Sequence, residues 1–242
     1  MLENMIMSMP VMSTCYLCGN DIAKSDESRD HVPARLVFPE SLRQKYNFDD
    51  LITLPTHRAC NTSYSRDEEY FRVSLGVHAE QTPVGRFLWK DIEKDFRKGN
   101  KTGLGITVRD EFSDQTPGGI YLPPGKTVKH FDGTRVYRVV WKVVRGLFYH
   151  RYNRFLSETT PYDCRVYDPQ QIQLPEIQEF WRTMMNRDGL GKYQGAFDYK
   201  LAQAVDVSDG LHACCLLFWD SVAFYYIFHD PNCSCKECSK AA

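Results

Sequence analysis

Two pairs of metal-ligand residues lie near the start of this chain. Cys15 and Cys18 form the first pair, and His57 and Cys60 form the second. Each pair has two intervening residues, a spacing that lets both side chains reach one ion, and Zn²⁺ takes four such ligands in a tetrahedron. The spacing therefore predicts a structural zinc site. Separate buried or free cysteines, or a redox CxxC motif, are the alternatives.

A possible catalytic group lies between and just after these pairs. The segment Asp30-His31-Val-Pro separates them, and Asn61 follows the second pair directly. An imidazole has an ordinary pKa near 6.5, so His31 is the candidate general base for activating water. Asp30 and Asn61 offer oxygen ligands of the kind that suit a catalytic Mg²⁺ or Mn²⁺. A lone histidine is more often structural, and the tetrapeptide by itself could be a turn.

The arrangement resembles the HNH endonucleases of the His-Me finger, or ββα-metal, class, in particular the stand-alone bacterial or phage type. Their pattern is a CxxC pair, Asp-His or Glu-His followed by a hydrophobic residue and Pro, a strand, and a second pair followed by Asn or His and a helix. The matching segments are Asp30 to Pro33, Leu51 to Pro55 and Cys60-Asn61, together with the first cysteine pair. The resemblance covers about residues 14–75. It implies hydrolysis of phosphodiester bonds in DNA, with double-stranded DNA as the expected partner.

Two positions differ from the usual pattern of that family. His57 stands where a Cys is usual, which is conservative because zinc also accepts imidazole. Asp50 stands where the family has an Asn that orients the catalytic histidine. An ionised Asp accepts hydrogen bonds but cannot donate them. Asp50 is therefore either an altered orienting residue or a solvated turn residue.

A strand pair and a helix must position these groups. We expect a knuckle at Cys15 to Cys18, a strand or extended turn at His31 to Pro33, and a strand at Leu51 to Leu54. A helix should begin after Asn61, where hydroxyl and acidic residues suit a helix N-terminus, and end near Gly76. The predicted fold class is α+β, with a zinc-stapled, treble-clef-like ββα-metal module followed by an α+β region with antiparallel strands.

The middle of the chain predicts two further helices and a loop. Thr82-Pro83 reads as an N-cap followed by Pro at the first helical position, and apolar residues recur every fourth position until Gly99-Asn100. The Gly- and Pro-rich residues 101–134 predict a long loop with short strands. Residues 136–147 have a helical apolar period, although their β-branched side chains also suit a strand.

The last third of the chain predicts one helix and three antiparallel strands. The helix is expected at Ile177 to Met185, and the strands at residues 195–204, 211–219 and 222–228, with a tight turn at Asp220-Ser221. We divide the chain into a flexible leader (1–13), an HNH module (14–80), an α+β accessory region (81–230) and a Cys-rich tail (231–242). The three cysteines of the tail are either ligands of a second zinc or loose thiols.

The charge distribution limits how the chain can contact nucleic acid. The net charge is -1 over 242 residues, so binding requires a local basic surface rather than bulk positive charge. Residues 126–154 contain eight Lys or Arg and one acidic residue. Arg138, Lys142 and Arg145 lie at helical spacing opposite the apolar face, so they are candidate phosphate contacts. The alternative is a solvated helix face.

Composition and cysteine usage indicate a cytoplasmic protein that does not contact membranes. The nine cysteines come without a recognisable signal peptide or an apolar run of membrane-spanning length, so metal ligation is favoured over disulfides. Besides DNA, the candidate binding partners are another protein and a second copy of the chain. The competing function is a non-catalytic zinc module that binds nucleic acid or protein.

Overall fold

The computed structural model describes residues 13–46, 50–99, 101–167, 193, 195–203 and 210–233. Several predictions therefore lie outside the described residues: most of the leader, the helix at Ile177 to Met185, and the two last cysteines of the tail. None of the described helices combines the length and the apolar character that a membrane crossing requires.

The described residues alternate short strands with helices before ending in a larger sheet. The elements in chain order are β1 (Glu27–His31), α1 (Glu40–Tyr46), β2 (Thr53–His57), α2 (Arg58–Thr62), α3 (Ser65–Ala79), α4 (Pro83–Arg97), α5 (Thr102–Asp110), β3 (Phe112–Ser113), β4 (Val128–Lys129), α6 (Gly133–Tyr152), β5 (Tyr162–Tyr167), β6 (Phe197–Gln203), β7 (Leu211–Phe218) and β8 (Val222–His229). A short 3₁₀ turn, Arg35–Val37, lies between β1 and α1. Helices with antiparallel sheets confirm the α+β fold class.

The N-terminal part is built on an antiparallel strand pair. β1 pairs with β2 in a register that places Glu27 opposite His57 and His31 opposite Thr53. The knuckle precedes this pair, and the carbonyl of Cys15 accepts a hydrogen bond from the amide of Gly19 at 2.8 Å. α2 begins directly after β2. The hairpin thus brings both ends of the Cys/His segment to the same edge.

The helix after Asn61 differs from its prediction in two ways. It is split into α2 and α3, and α3 continues to Ala79 instead of ending near Gly76. Gly76 is a packing position: a Cβ added there would lie 2.7 Å from Cδ1 of Ile92 on α4. The glycine therefore permits close approach of two helices, and its cost within a helix, about 1 kcal/mol, is offset by that packing.

The predicted helix at residue 83 is confirmed. Pro83 is its first residue, and the Thr82 hydroxyl accepts a hydrogen bond from the amide of Gly85 at 2.9 Å. The loop predicted for residues 101–134 is wrong for its first part, because α5 occupies Thr102–Asp110. Val108 of α5 is buried in the core, and this tertiary contact overrides the poor helix propensity of the two glycines in α5.

The C-terminal part is a four-stranded antiparallel sheet in the order β5-β8-β7-β6. It contains the three predicted strands and also β5, which the sequence did not predict. The turn between β7 and β8 centres one residue earlier than expected: Trp219 and Asp220 both have left-handed backbones, with φ of 54° and 53°. The Trp219 indole donates to the carbonyl of Val37 at 3.0 Å, which anchors this turn to the N-terminal part.

Helix α6 lies at the centre and confirms the helical reading of residues 136–147. On one side, Trp141 stacks on Tyr226 of β8, with ring centroids 5.7 Å apart. On another, Lys142 and Arg145 reach the N-terminal part. A single hydrophobic core includes residues from Cys15 to Phe228, so the predicted module and the accessory region share one interior.

Candidate functional site

Four potential metal ligands converge at the knuckle. One ligand atom from each of Cys15, Cys18, His57 and Cys60 lies within 4.8 Å of the others. The Cys18 sulfur is 3.3 Å and the Cys60 sulfur 4.0 Å from Nδ1 of His57. A tetrahedral zinc with ordinary bond lengths would separate sulfur and nitrogen by about 3.6 Å. The group can therefore hold a metal ion such as zinc.

The orientation of His57 suits ligation through Nδ1. Its Nε2 lies 3.2 Å from the carbonyl oxygen of Asp21, so Nε2 carries the proton and donates to that carbonyl. The lone pair of Nδ1 then faces the sulfurs. A backbone carbonyl on the far nitrogen is a usual way to fix the tautomer and the ring of a metal-bound histidine.

The thiols of the cluster influence one another electrostatically. Burial raises the pKa of Cys15, but hydrogen bonds from the Thr56 hydroxyl and from backbone amides lower it more, to about 6. Burial and the nearby Cys15 and Cys18 raise the pKa of Cys60 to about 12. One thiolate therefore forms readily, while further ionisation is opposed by repulsion. The positive charge of a bound dication would offset that repulsion. The cysteines would then bind as thiolates, with loss of their protons.

A second candidate site is a cavity lined by residues of β1, α2 and α3. This cavity of about 540 Å³ is lined by Asp30, His31 and Asn61, together with Glu68 and Arg72 of α3. Three residues that the sequence singled out for catalysis thus meet at one cavity. Asp30 and His31 lie on β1, and Asn61 lies on α2.

Asp30 is buried and held by a cation. It is 4% exposed, its Oδ2 accepts a hydrogen bond from the Tyr16 hydroxyl, and the same oxygen lies 2.7 Å from Nζ of Lys142. Lys142 also pairs with Glu68. Oδ1 of Asp30 has no hydrogen-bond partner among the described residues. One carboxylate oxygen is therefore committed to the protein, and one remains to face the cavity.

Asn61 is fixed by its amide nitrogen. Nδ2 lies 3.3 Å from the Ser28 hydroxyl and 3.4 Å from the carbonyl of Arg29, both on β1. These contacts leave the side-chain oxygen as the atom that can turn to a cation. Oδ1 of Asp30 and Oδ1 of Asn61 together give two oxygen donors, a number that suits Mg²⁺ with water completing the shell. The donor types match the preference of Mg²⁺ for oxygen ligands.

His31 is half-buried at the cavity, and its surroundings favour the neutral imidazole. Burial lowers its pKa below the ordinary value of 6.5, and the adjacent Asp30 opposes this. The cations of Arg35, Arg43 and Arg29 lower the pKa further. A neutral imidazole can accept a proton, so the environment suits a general base.

The structure does not bring Asp50 to this cavity. Asp50 is exposed and lines a different cavity of about 330 Å³ with His150 and Tyr193. Its carbonyl oxygen accepts a hydrogen bond from the Tyr193 hydroxyl at 3.0 Å. The residue opposite His31 on β2 is Thr53. Asp50 is therefore not among the residues that line the cavity of His31.

The expected phosphate contacts on α6 need a correction. Lys142 and Arg145 are 2% and 1% exposed, so neither is available at the surface. Arg145 donates to the carbonyls of Leu17 and Leu156. Arg138 is partly exposed but pairs with Asp67 at 2.6 Å. Because α6 is packed on several sides, its basic residues bind acids and carbonyls of the protein, which an amphipathic reading of the helix could not foresee.

Sequence reasoning missed several residues of the second site. Glu68 looked like an ordinary acid in the first turn of a helix, and Tyr16 like a spacer inside the cysteine pair. Three arginines at the cavity, Arg29, Arg35 and Arg43, had no recognisable pattern because they come from three different elements. The only available signal was that Arg29 precedes the Asp-His dipeptide directly.

No family model, no curated protein and no solved structure matches this chain. The functional assignment therefore depends on the geometry and chemistry of the two sites.

Proposed function

We propose that this protein is a metal-dependent HNH-type endonuclease that hydrolyses phosphodiester bonds in DNA. The observation that supports this most is the convergence of Asp30, His31 and Asn61 at one cavity. They come from a β-hairpin and the helix that follows it, next to a cluster of three cysteines and one histidine. A base and two oxygen donors at a single open cavity are what phosphodiester hydrolysis requires.

The Cys/His cluster is proposed to hold zinc in a structural role. All four positions are taken by protein ligands, and such closed sites lack the open coordination position of a catalytic zinc. The cluster ties the knuckle to the start of α2, which carries Asn61. Zinc would thereby fix the position of Asn61 relative to β1.

His31 is the proposed general base. Its neutral imidazole takes a proton from the attacking water; burial first, and then the positive charge of Arg35 and its neighbours, lower the pKa of His31 and favour this neutral form. Oδ1 of Asp30 and Oδ1 of Asn61 would hold Mg²⁺ or Mn²⁺. When bound, this metal would stabilise negative charge on the phosphate and on the leaving oxygen. The Tyr16 hydroxyl and Lys142 hold Asp30 in place from the protein side.

A cleavage assay tests the proposal. Purified wild-type protein is incubated with plasmid and linear DNA in Mg²⁺ or Mn²⁺ and compared with His31→Ala, Asn61→Ala and the control His130→Ala. His130 is exposed and does not line the cavity, so its variant should cut like wild type. We expect His31→Ala and Asn61→Ala to lose cleavage while keeping their zinc. Absence of DNA cleavage by wild type would overturn the proposal, and full activity in His31→Ala would reject the assigned base.

One observation favours a second candidate function. Oδ2 of Asp30 is already paired with Lys142, as expected for a carboxylate that serves the fold. In that case the protein would be a non-catalytic zinc module that binds nucleic acid or protein. Wild type would then bind DNA or a protein partner without cutting DNA under any metal, and His31→Ala would bind equally well.

A further inference from the structure

Three arginine side chains surround His31 at the cavity. Arg29 lies on β1, Arg35 begins the 3₁₀ turn that follows it, and Arg43 lies on α1. All three line the same cavity as His31 and Asn61. Arg29 and Arg35 are exposed, and Arg43 is half-buried. Three guanidinium groups from separate elements therefore face one open space.

The side chains of these arginines form no ion pairs within the described part of the chain. Arg43 donates from Nε to the carbonyl of Phe38 at 3.0 Å, which fixes its stem and leaves its terminal nitrogens. No ion pair among the described residues involves Arg29, Arg35 or Arg43.

Four of the five described acidic residues that line the cavity contact groups other than the three arginines. Asp30 and Glu68 share Lys142, and Asp95 pairs with Arg72 at 3.0 Å. Glu40 accepts a hydrogen bond from the Gln44 amide. One lysine thus serves two buried carboxylates, and Asp91 also lines the cavity. Among the described residues, none of these acids forms an ion pair with Arg29, Arg35 or Arg43.

We propose that Arg29, Arg35 and Arg43 form a phosphate-binding cluster that holds the DNA backbone against His31. The inference rests on the proposed function, because it names the surface by which the nuclease takes its substrate. A guanidinium offers a planar fork of donors that matches two phosphate oxygens. The three arginines are positioning residues: they place the phosphate beside the imidazole, and they replace the α6 face that the sequence suggested.

Measuring DNA binding in the absence of a divalent metal tests the role of this cluster separately from catalysis. A short fluorescein-labelled DNA duplex is titrated with protein in EDTA, and the association constant is measured by anisotropy over a series of salt concentrations. The slope of log K against log salt is negative, and each lost phosphate contact reduces its magnitude by about 1. Arg29→Ala/Arg35→Ala should therefore reduce the magnitude by about 2. The charge-retaining Arg29→Lys/Arg35→Lys should restore most of the slope.

A matched control removes the same charge elsewhere. Arg97 and Arg109 are exposed on α4 and α5 and do not line the cavity. Within the described part of the chain, each pairs only with an acid on its own helix. Arg97→Ala/Arg109→Ala should keep the wild-type slope. Equal slopes for the two double variants, or no binding of wild type to duplex DNA, would overturn the proposal. Tight binding to RNA with none to DNA would overturn its choice of DNA.

The outcome can be separated from that of the proposed function. If wild type binds duplex DNA through Arg29 and Arg35 but never cuts it in Mg²⁺ or Mn²⁺, the phosphate-binding cluster stands and the nuclease proposal fails. In another outcome, wild type cuts DNA while Arg29→Ala/Arg35→Ala and Arg97→Ala/Arg109→Ala show equal slopes of log K against log salt. In that case the nuclease proposal stands and the phosphate-binding cluster fails. Thermal melting of each variant confirms that it is folded, and the lysine variant provides a second measurement if the alanine variant is not.

Discussion

Lys142 is the point at which a single substitution should be most revealing. Its ammonium lies 2.7 Å from Oδ2 of Asp30 and also pairs with Glu68, and all three side chains are at most 10% exposed. Replacing it by methionine keeps most of the volume but leaves two buried carboxylates without a cation. We expect Lys142→Met to be strongly destabilised.

The expected magnitude follows from burial. Removing one partner of a buried ion pair costs about 3–5 kcal/mol, because the remaining charge is left without compensation. One cation serves two carboxylates here, so the upper part of that range applies. For a chain of this size, 1 kcal/mol corresponds to about 2–4 °C, so a loss of about 4–5 kcal/mol should lower the melting temperature by roughly 8–20 °C.

The pH dependence gives a second signature of the same change. Burial raises the pKa of Glu68 above its ordinary value of 4.5, and Lys142 opposes that rise. Without Lys142 the folded pKa rises further, so the folded state holds a proton that the unfolded state releases. Stability then falls as pH rises from the unfolded pKa to the folded pKa. The deficit of Lys142→Met should therefore be smaller in mildly acidic buffer than at neutral pH.

Thermal and denaturant melts followed by circular dichroism measure these effects. Lys90→Met, on the exposed face of α4, is the matched control and should change stability by less than about 0.5 kcal/mol. Adding Glu68→Gln to Lys142→Met should recover part of the loss, because one uncompensated charge is then removed. A Lys142→Met protein that melts with the control, or one that Glu68→Gln destabilises further, would refute the reasoning.

Three further predictions concern the metal, the base and the core. Cys18→Ala should lose its zinc in a metal analysis and melt earlier than wild type, because zinc binding contributes to folding; unchanged zinc content would exclude the cluster as the metal site. The cleavage rate should rise with pH through a pKa below 6.5 and then level off, because only the neutral form of His31 accepts a proton and its pKa is lowered; a rise centred above 6.5 would contradict this. Trp219→Ala should cost about 3–5 kcal/mol in denaturant unfolding, because Trp219 is fully buried, whereas Tyr121→Ala, at a position 70% exposed, should not; equal losses would contradict the role of the turn.

Short-range patterns predicted much of the fold. The two-residue spacing of the ligand pairs depends only on local chain geometry, and the structure brings all four ligand atoms together. The Thr82-Pro83 start of α4 and the apolar period of α6 are equally local. These features were predicted because each depends on neighbours within one or two turns of chain.

Features that depend on tertiary contacts were not predicted. β5 pairs only with the distant β8, and α5 forms in spite of two glycines because it packs against the core. The polar side of α6 was read as solvent-facing, yet Lys142 and Arg145 point into the protein. The burial of a lysine can be predicted from sequence only if its acidic partners are known. The partners of Lys142 are Asp30 and Glu68, each more than 70 residues earlier in the chain.

The contacts between α6 and the first 80 residues bear on whether the hairpin and its helices could be separated from the rest of the chain. Arg145 holds the Leu17 carbonyl inside the cysteine pair, and one turn earlier Lys142 holds Asp30. Phe71 of α3 packs edge-on against Phe218 of the sheet, with centroids 5.0 Å apart. Recombination that moved the hairpin and its helices alone would separate a carboxylate, a carbonyl and an aromatic ring from their partners. The hairpin and its helices therefore depend on α6 and the sheet for these partners, and a fragment that lacks them should fold poorly.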